Sequence, residues 1–247
     1  MEIFVINLER SKQRLSQLSA QLKSLNLDYK RVAAVDGENL KPSEIAQCYS
    51  SSLNQKRYRR QLSVGEIGCY MSHIACWRKV AERELSMALI LEDDAELSTD
   101  LVAILGTLMD IRCSWDLIKL CDPPKKKSYT VVLKLHEEFS LCQYKKIPAR
   151  TTGYLISYEG ALKLLAARKF FARPVDDDMQ FYWEFSGQVL GVEPCPIWNS
   201  ESGLLSDIDG INPRKKYKNI FSIFKAPLLK LIYESKLIYH NFRRKFN

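Results

Sequence analysis

The 247-residue sequence lacks any apolar run of the roughly 18 residues that crossing a bilayer requires, so a membrane-spanning reading is excluded. It lacks a CxxC pair. Its seven cysteines (Cys48, Cys69, Cys76, Cys113, Cys121, Cys142 and Cys195) are odd in number and irregularly spaced, which argues for reduced thiols rather than a disulfide frame or a zinc site. Only three histidines occur, His73, His136 and His240, which further weakens a histidine-based metal centre. The opening MEIFVINLER has neither a basic leader nor a small-residue cleavage site, so a cytoplasmic location is expected. Ten glycines and nine prolines against 46% hydrophobic residues exclude collagen-like and disordered chains, and no internal repeat or low-complexity segment is present.

What is there is unevenly charged. The formal net charge is +8 from 37 Lys and Arg against 29 Asp and Glu. From Arg214 onward there are ten basic residues and one acid, +9, which leaves −1 for the first 213 residues. The expected organisation is therefore a nearly neutral domain over residues 1–213 and a basic tail over 214–247, the tail pointing to a polyanionic partner.

The first 35 residues read strand, helix, strand. An apolar run EIFVINL is followed by Leu15, Leu18, Leu22 and Leu25 at helical spacing over 10–26, then YKRVAAV and an Asp36-Gly37 turn. Such a βαβ opening predicts an α/β fold with a mainly parallel sheet. Residues 41–62, polar and irregular, read as a mobile loop. Ser63 and Glu66 form a capping box that starts a helix over about 64–84. MALIL at 87–91 is a buried strand, followed by a helix near 99–112, a strand WDLIKL at 115–120 and an exposed turn at 122–128. Residues 129–147 read as two weak strands of a hairpin. YLIS at 154–157 and residues 188–192 are strands, with helices over 159–168 and 176–186, a loop over 200–213, and a helical tail from about 218.

Two acidic clusters stand out. Glu92-Asp93-Asp94 follow an apolar strand directly, and in open α/β sheets ligands bind at the carboxyl ends of strands. Three adjacent carboxylates repel one another and resist burial. A Mn2+ or Mg2+ ion relieves that, and in transfer from a nucleoside diphosphate sugar it stabilises the leaving diphosphate. Glu92 and Asp94 are the candidate ligands. The alternative is a solvated acidic helix start, since Ser98-Thr99-Asp100 follow. The second cluster is Asp176-Asp177-Asp178 after Pro174, where an acidic helix start is again the competing explanation.

VINLERSKQR at 5–14, AVDG at 34–37, GEIGCYMSHIACW at 65–77, ALILEDD at 88–94, TTGYLIS at 151–157, PVDDD at 174–178 and SDI at 206–208 occur in this order. The arrangement resembles glycosyltransferase family 25, which includes bacterial lipooligosaccharide galactosyltransferases and a domain of the procollagen galactosyltransferases. The resemblance covers about residues 1–210 and rests on order and spacing more than on any one motif.

It implies a GT-A-like nucleotide-sugar-binding domain, inversion at the anomeric carbon and a metal at the acidic motif. UDP-galactose is the implied donor and a glycolipid the implied acceptor. Asn7, Leu8 and Arg10 then fall near the nucleotide, Asp36 at the ribose or base, and Asp93 on the acidic motif. An inverting reaction needs a base to take the acceptor hydroxyl's proton; Asp176 is the first candidate and Asp178 the reserve. His73 is open between a satisfied core residue and a contact to donor phosphate or sugar. Thr151, Thr152 and Gly153 are open between a strand-entry turn and sugar contacts. Asp207, in the late motif, is a candidate donor or metal contact. Cys69 and Cys76 share one helix face and read as core.

The tail interleaves Ile220, Phe221, Phe224, Leu228, Leu231, Ile232, Leu237 and Ile238 with lysines, and Pro227 is expected to kink or split its helix. An anionic membrane surface, on the inner face of the cytoplasmic membrane, is the favoured partner. Packing on the domain and nucleic acid are the alternatives; no nucleic-acid motif accompanies the charges. A catalytically silent sugar- or nucleotide-binding module and a membrane-surface scaffold are the competing functions.

Overall fold

The computed structural model describes residues 1–121, 127–200 and 220–244. The first units are β1 (Glu2–Asn7), α1 (Lys12–Ser24) and β2 (Lys30–Ala33). After two short helices, α2 (Pro42–Ala46) and α3 (Ser51–Arg57), comes the long α4 (Val64–Glu82). There follow β3 (Met87–Glu92), β4 (Ala95–Leu97), α5 (Leu101–Met109), β5 (Leu117–Lys119), the hairpin β6 (Tyr129–His136) and β7 (Phe139–Tyr144), and β8 (Gly153–Ser157). The chain closes with α6 (Tyr158–Ala167), α7 (Val175–Asp178), β9 (Val189–Glu193), β10 (Ile197–Asn199) and α8 (Ile220–Arg244).

Eight strands form one sheet in the order β2-β1-β3-β8-β5-β9-β7-β6, and β10 pairs with β4 beside it. The expected mainly parallel sheet is corrected to a mixed one. β1 runs parallel to β2 and β3, and β5 to β9, but β8 and β7 are antiparallel to both of their neighbours. The opening βαβ unit is as the sequence implies; β8 and the hairpin enter by connections that carry no crossover helix, so their direction is not fixed by the βαβ handedness rule.

The central strands are buried on both faces, hence their unbroken apolar runs. Phe4, Ile6, Ala88, Ile90, Tyr154 and Ile156 point to the layer under α4 and α6. Ile3, Val5, Leu89, Leu91 and Leu155 point to the layer under α1 and α5, which present Leu18, Leu22, Leu101, Ile104 and Leu108.

Residues 41–62, expected as a mobile loop, instead carry α2 and α3. Ser50 caps α3 by accepting from Leu53 N (3.2 Å), and buried Asn54 donates to Arg60 O and Ala172 O (2.9 Å each). The segment is thus pinned by polar bonds that hydrophobic periodicity does not reveal. The helix expected over 176–186 is only α7 plus a 3-10 turn at Tyr182–Glu184. Pro227 does not split the tail: α8 runs through it, at the cost of a single ladder bond.

The capping box forms as read. Ser63 Oγ accepts from Glu66 N (3.2 Å), Glu66 accepts from Ser63 N (2.9 Å), and Arg60 clamps the same carboxylate. This end of α4 is pressed against the turn after β2. A Cβ on Gly68 would sit 2.5 Å from Val35 O and 2.8 Å from Gly37 N, and Ser72 Oγ accepts from Val35 N (2.8 Å). The two glycine-bearing motifs are therefore one contact, which fixes α4 relative to β1, β2 and β3.

Gly68→Ala is expected to destabilise the fold by about 1–3 kcal/mol through overpacking against backbone. Gly106→Ala, in α5 with open space around its Cα, should gain roughly 0.5–1 kcal/mol. Urea unfolding midpoints of the two variants check both signs.

Candidate active site

The carboxyl ends of β1, β2, β3 and β5 and the amino end of β8 lie along one edge of the sheet. β3 delivers the three acids there, and each meets a different environment. Asp93 is anchored: it accepts from Asn7 Nδ2 (2.7 Å) and faces Arg14 at 3.7 Å. Glu92 Oε1 accepts from Thr151 Oγ1 (2.5 Å) and from His73 Nε2 (3.2 Å). Burial works against its ionised form, but the hydrogen bond from His73, then that from Thr151 and the Lys119 charge, hold its carboxyl below the usual range. Asp94 accepts from Asn199 Nδ2 (3.0 Å) through Oδ2, while its buried Oδ1 has no hydrogen-bond partner among the described residues. Burial, then the Glu92 charge, pushes its pKa up to about 7.

His73 is oriented by a chain of donors. The Trp77 indole N–H can only donate, and it does so to Tyr154 OH (2.8 Å); the Tyr154 hydroxyl lies 2.9 Å from His73 Nδ1. The Tyr154 proton then goes to Nδ1, leaving the Nε2 proton for Glu92. His73 is completely buried, so it acts on the site by fixing Glu92. Cys69, one turn earlier on α4, has its sulfur within 4.8 Å of the His73 and Glu92 ligating atoms. Burial, then the charges of Glu92, Asp176 and Asp94, push this thiol well above its ordinary value, so it stands as a neutral neighbour.

The second acidic cluster divides its work in the same way. Asp178 is locked between Arg168 Nε, Arg173 Nη1 and Tyr70 OH, each at 2.6 Å and buried. Asp177 accepts from Tyr58 OH (2.6 Å) and Gln180 Nε2 (3.1 Å). Among the described residues Asp176 accepts only from Asp177 N (2.8 Å). Burial and the Asp177 charge raise its carboxyl; the Lys119 charge lowers it and that of Glu92 raises it, which places Asp176 within electrostatic reach of the β3 acids.

The hydrogen bonds thus bring Glu92 and His73 together, Asp94 follows two residues on in the same turn, and the charges of Asp176 and Glu92 interact. The geometry corrects Asp178, whose carboxylate is spent on two guanidinium groups and is not available as a base. Asn7, expected near the nucleotide, is buried with its amide committed to Asp93, Ser11 O and Arg31. Leu8 is half-buried in the following turn, where its carbonyl accepts from Ser11 N. Arg10 and Asp36 pair with each other at the rim, and Asp36 also caps the turn at Gly37. Thr152 and Gly153 are buried: Thr152 Oγ1 donates to Asn199 Oδ1 (2.9 Å), and a Cβ on Gly153 would strike Ile197 at 2.5 Å. Both shape the site from behind. Asp207 lies outside the described residues. Lys119 was missed, although a lysine inside the apolar strand WDLIKL is a readable signal; it is fully buried, donates to Arg150 O and lies over the Tyr154 ring. Asn199 was missed with no local signal.

A Mn2+ or Mg2+ ion fits this donor set. The available atoms are carboxylate oxygens, one of them buried without a partner among the described residues, and the Glu92 charge adds to burial in raising the pKa of Asp94. Asp94 and Glu92 would hold it.

A model of "Glycosyltransferase family 25 (LPS biosynthesis protein)" matches residues 1–179, and this chain belongs to that family. Among similar proteins, the human "Procollagen galactosyltransferase 2" is 34% identical over 239 residues, 84% of this chain and 37% of that protein. "Procollagen galactosyltransferase 1-A" of Xenopus laevis is 31% identical over 71% of this chain and 30% of its own length. The rat "Probable inactive glycosyltransferase 25 family member 3" is 30% identical over 71% and 32%. The chain spans about a third of the length of these relatives.

Asp178→Ala should cost about 3–5 kcal/mol, because it leaves Arg168 and Arg173 buried without their shared anion; urea unfolding measures it. For Asp94, the folded pKa lies above the unfolded one of about 3.9, so the folded state holds a proton that the unfolded state has lost. Stability is therefore lost as pH rises between those values. In chelator-treated protein, Asp94→Asn should melt above wild type at pH 8 and level with it at pH 4.

Proposed function

We propose that the chain is an inverting, metal-dependent hexosyltransferase. It moves a sugar, galactose by the names of its relatives, from a UDP-sugar donor to a lipooligosaccharide or lipopolysaccharide acceptor. It works at an anionic membrane surface on the inner face of the cytoplasmic membrane. The observation that carries this reading is the buried, unpartnered oxygen of Asp94 beside a fixed Glu92, with Asp176 close enough for their charges to interact.

In this reading the acceptor hydroxyl oxygen bonds to the anomeric carbon as the bond from that carbon to the diphosphate oxygen breaks. Asp176 takes the hydroxyl proton; burial and the Asp177 charge raise its carboxyl, which favours the protonated form it then adopts. Glu92 and Asp94 would hold the cation, which would supply positive charge against that developing on the departing diphosphate. His73 and Thr151 keep Glu92 in place, and Asn199 does so for Asp94. The family model's description supports a lipopolysaccharide acceptor, and the basic tail supports the membrane surface. Among the described residues no helix is long and apolar enough to cross a membrane. The intact carboxylates of both clusters favour catalysis over a silent binding module.

A screen of UDP-sugars with Mn2+ and released UDP as readout tests the reading. UDP-galactose should turn over, and chelation should abolish the signal. Asp176→Asn should retain UDP binding and lose at least about 100-fold in transfer. Transfer at the wild-type rate in that variant would place the base elsewhere.

A further inference from the structure

α8 has two apolar faces, and among the described residues only one packs on the domain. Tyr233 and Leu237 are buried in the core layer under α4, and His240 stacks on Trp183 with ring centroids 5.1 Å apart and planes at 3°. Asn241 donates to Lys145 O (2.7 Å) and accepts from Tyr182 OH (3.3 Å). That face accounts for the packing alternative in the tail.

The opposite face carries Leu228, Leu231, Ile232, Ile238, Tyr239 and Phe242, at the i, i+3, i+4, i+10, i+11 and i+14 positions of one helical stripe. They are between 44 and 69% exposed. Ser235 fills the i+7 position and turns its hydroxyl back to Leu231 O (2.6 Å), so it adds no outward donor. Lys225, Lys236 and Arg243 fall along one flank of the stripe on a helical projection. The only acid beyond residue 213, Glu234, is drawn toward the domain by Lys146 at 3.4 Å. Helical burial in a soluble domain needs one apolar stripe; a second, rimmed by cations, requires another apolar phase bearing negative charge.

We propose that α8 is an interfacial helix whose Leu228–Phe242 stripe lies in the surface of an anionic lipid bilayer while its Tyr233–Leu237 face stays docked on the domain. The helix is about 37 Å long at 1.5 Å per residue, and lying flat it holds the domain against the bilayer. Charge complementarity selects this occupant over a second copy: in an antiparallel two-fold pair of α8 helices, the basic flank of one meets the basic flank of the other. The proposal deepens the membrane-surface part of the function proposed above and does not depend on the chemistry of the carboxylate site.

Flotation of the full chain with lipid vesicles tests it. Wild type should float with phosphatidylcholine vesicles containing about one-third phosphatidylglycerol and bind phosphatidylcholine alone at least about tenfold more weakly. The double variant Leu231→Glu/Ile238→Glu should keep the wild-type melting temperature, lose at least about tenfold in binding to the anionic vesicles, and keep turnover of a soluble acceptor. Asp176→Asn should float like wild type, which separates this proposal from the catalytic one. Unchanged flotation of the double variant would overturn it. So would a wild-type dimer in light scattering that the double variant breaks while neither binds vesicles, which would assign the stripe to self-association.

Discussion

The structure turns on one electrostatic constraint: three consecutive carboxylates emerge, half-buried, at the end of a buried central strand, where water relieves their repulsion only in part. The chain meets this unequally. Asp93 has an amide and a guanidinium, and Glu92 has a hydroxyl and an imidazole; Asp94 has one amide bond and, among the described residues, a second oxygen with nothing to accept from. That oxygen is the least satisfied acceptor of the three side chains, and it is where a cation has most to gain.

Much of the rest serves this arrangement. The contact of Gly68 with the turn after β2 sets α4 against the parallel half of the sheet, and α4 then supplies both His73 and the Trp77 that orients it through Tyr154. The second triplet repeats the division of labour. Asp178 ties α7 to the arginines and to Tyr70, Asp177 ties it to Tyr58, and Asp176 is left as the member whose main partner is a neighbouring backbone amide. In both triplets adjacent, chemically similar side chains are separated into anchors and a site residue by what surrounds them.

Elements whose signal is local were legible in the sequence. The βαβ opening, the capping box of α4 and the apolar strand β3 follow from periodicity and capping chemistry, and the acidic turn at the end of β3 was read as the site from the same run. What depends on distant partners was not legible. α3 is held by the Asn54 bond to Ala172 O, far along the chain, and the antiparallel placement of β8 has no signature in its own five residues. Asp176 and Asp178 look alike in sequence; only the burial of Arg168 and Arg173 beside one of them tells them apart. Thr152 and Gly153 are open in sequence between a strand-entry turn and sugar contacts; in the structure the hydroxyl and the bare Cα serve Asn199 and Ile197.

The account therefore rests on Asp94 and Glu92 as the seat of a divalent cation. Titration of the full chain with Mn2+ in the presence of UDP, with free Mn2+ counted by electron paramagnetic resonance, tests this most directly. The account predicts loss of the free-ion signal with saturation near one ion per chain beyond what UDP alone removes, and loss of that capacity in Asp94→Ala. An identical free-ion signal for wild type and Asp94→Ala across the titration would contradict it.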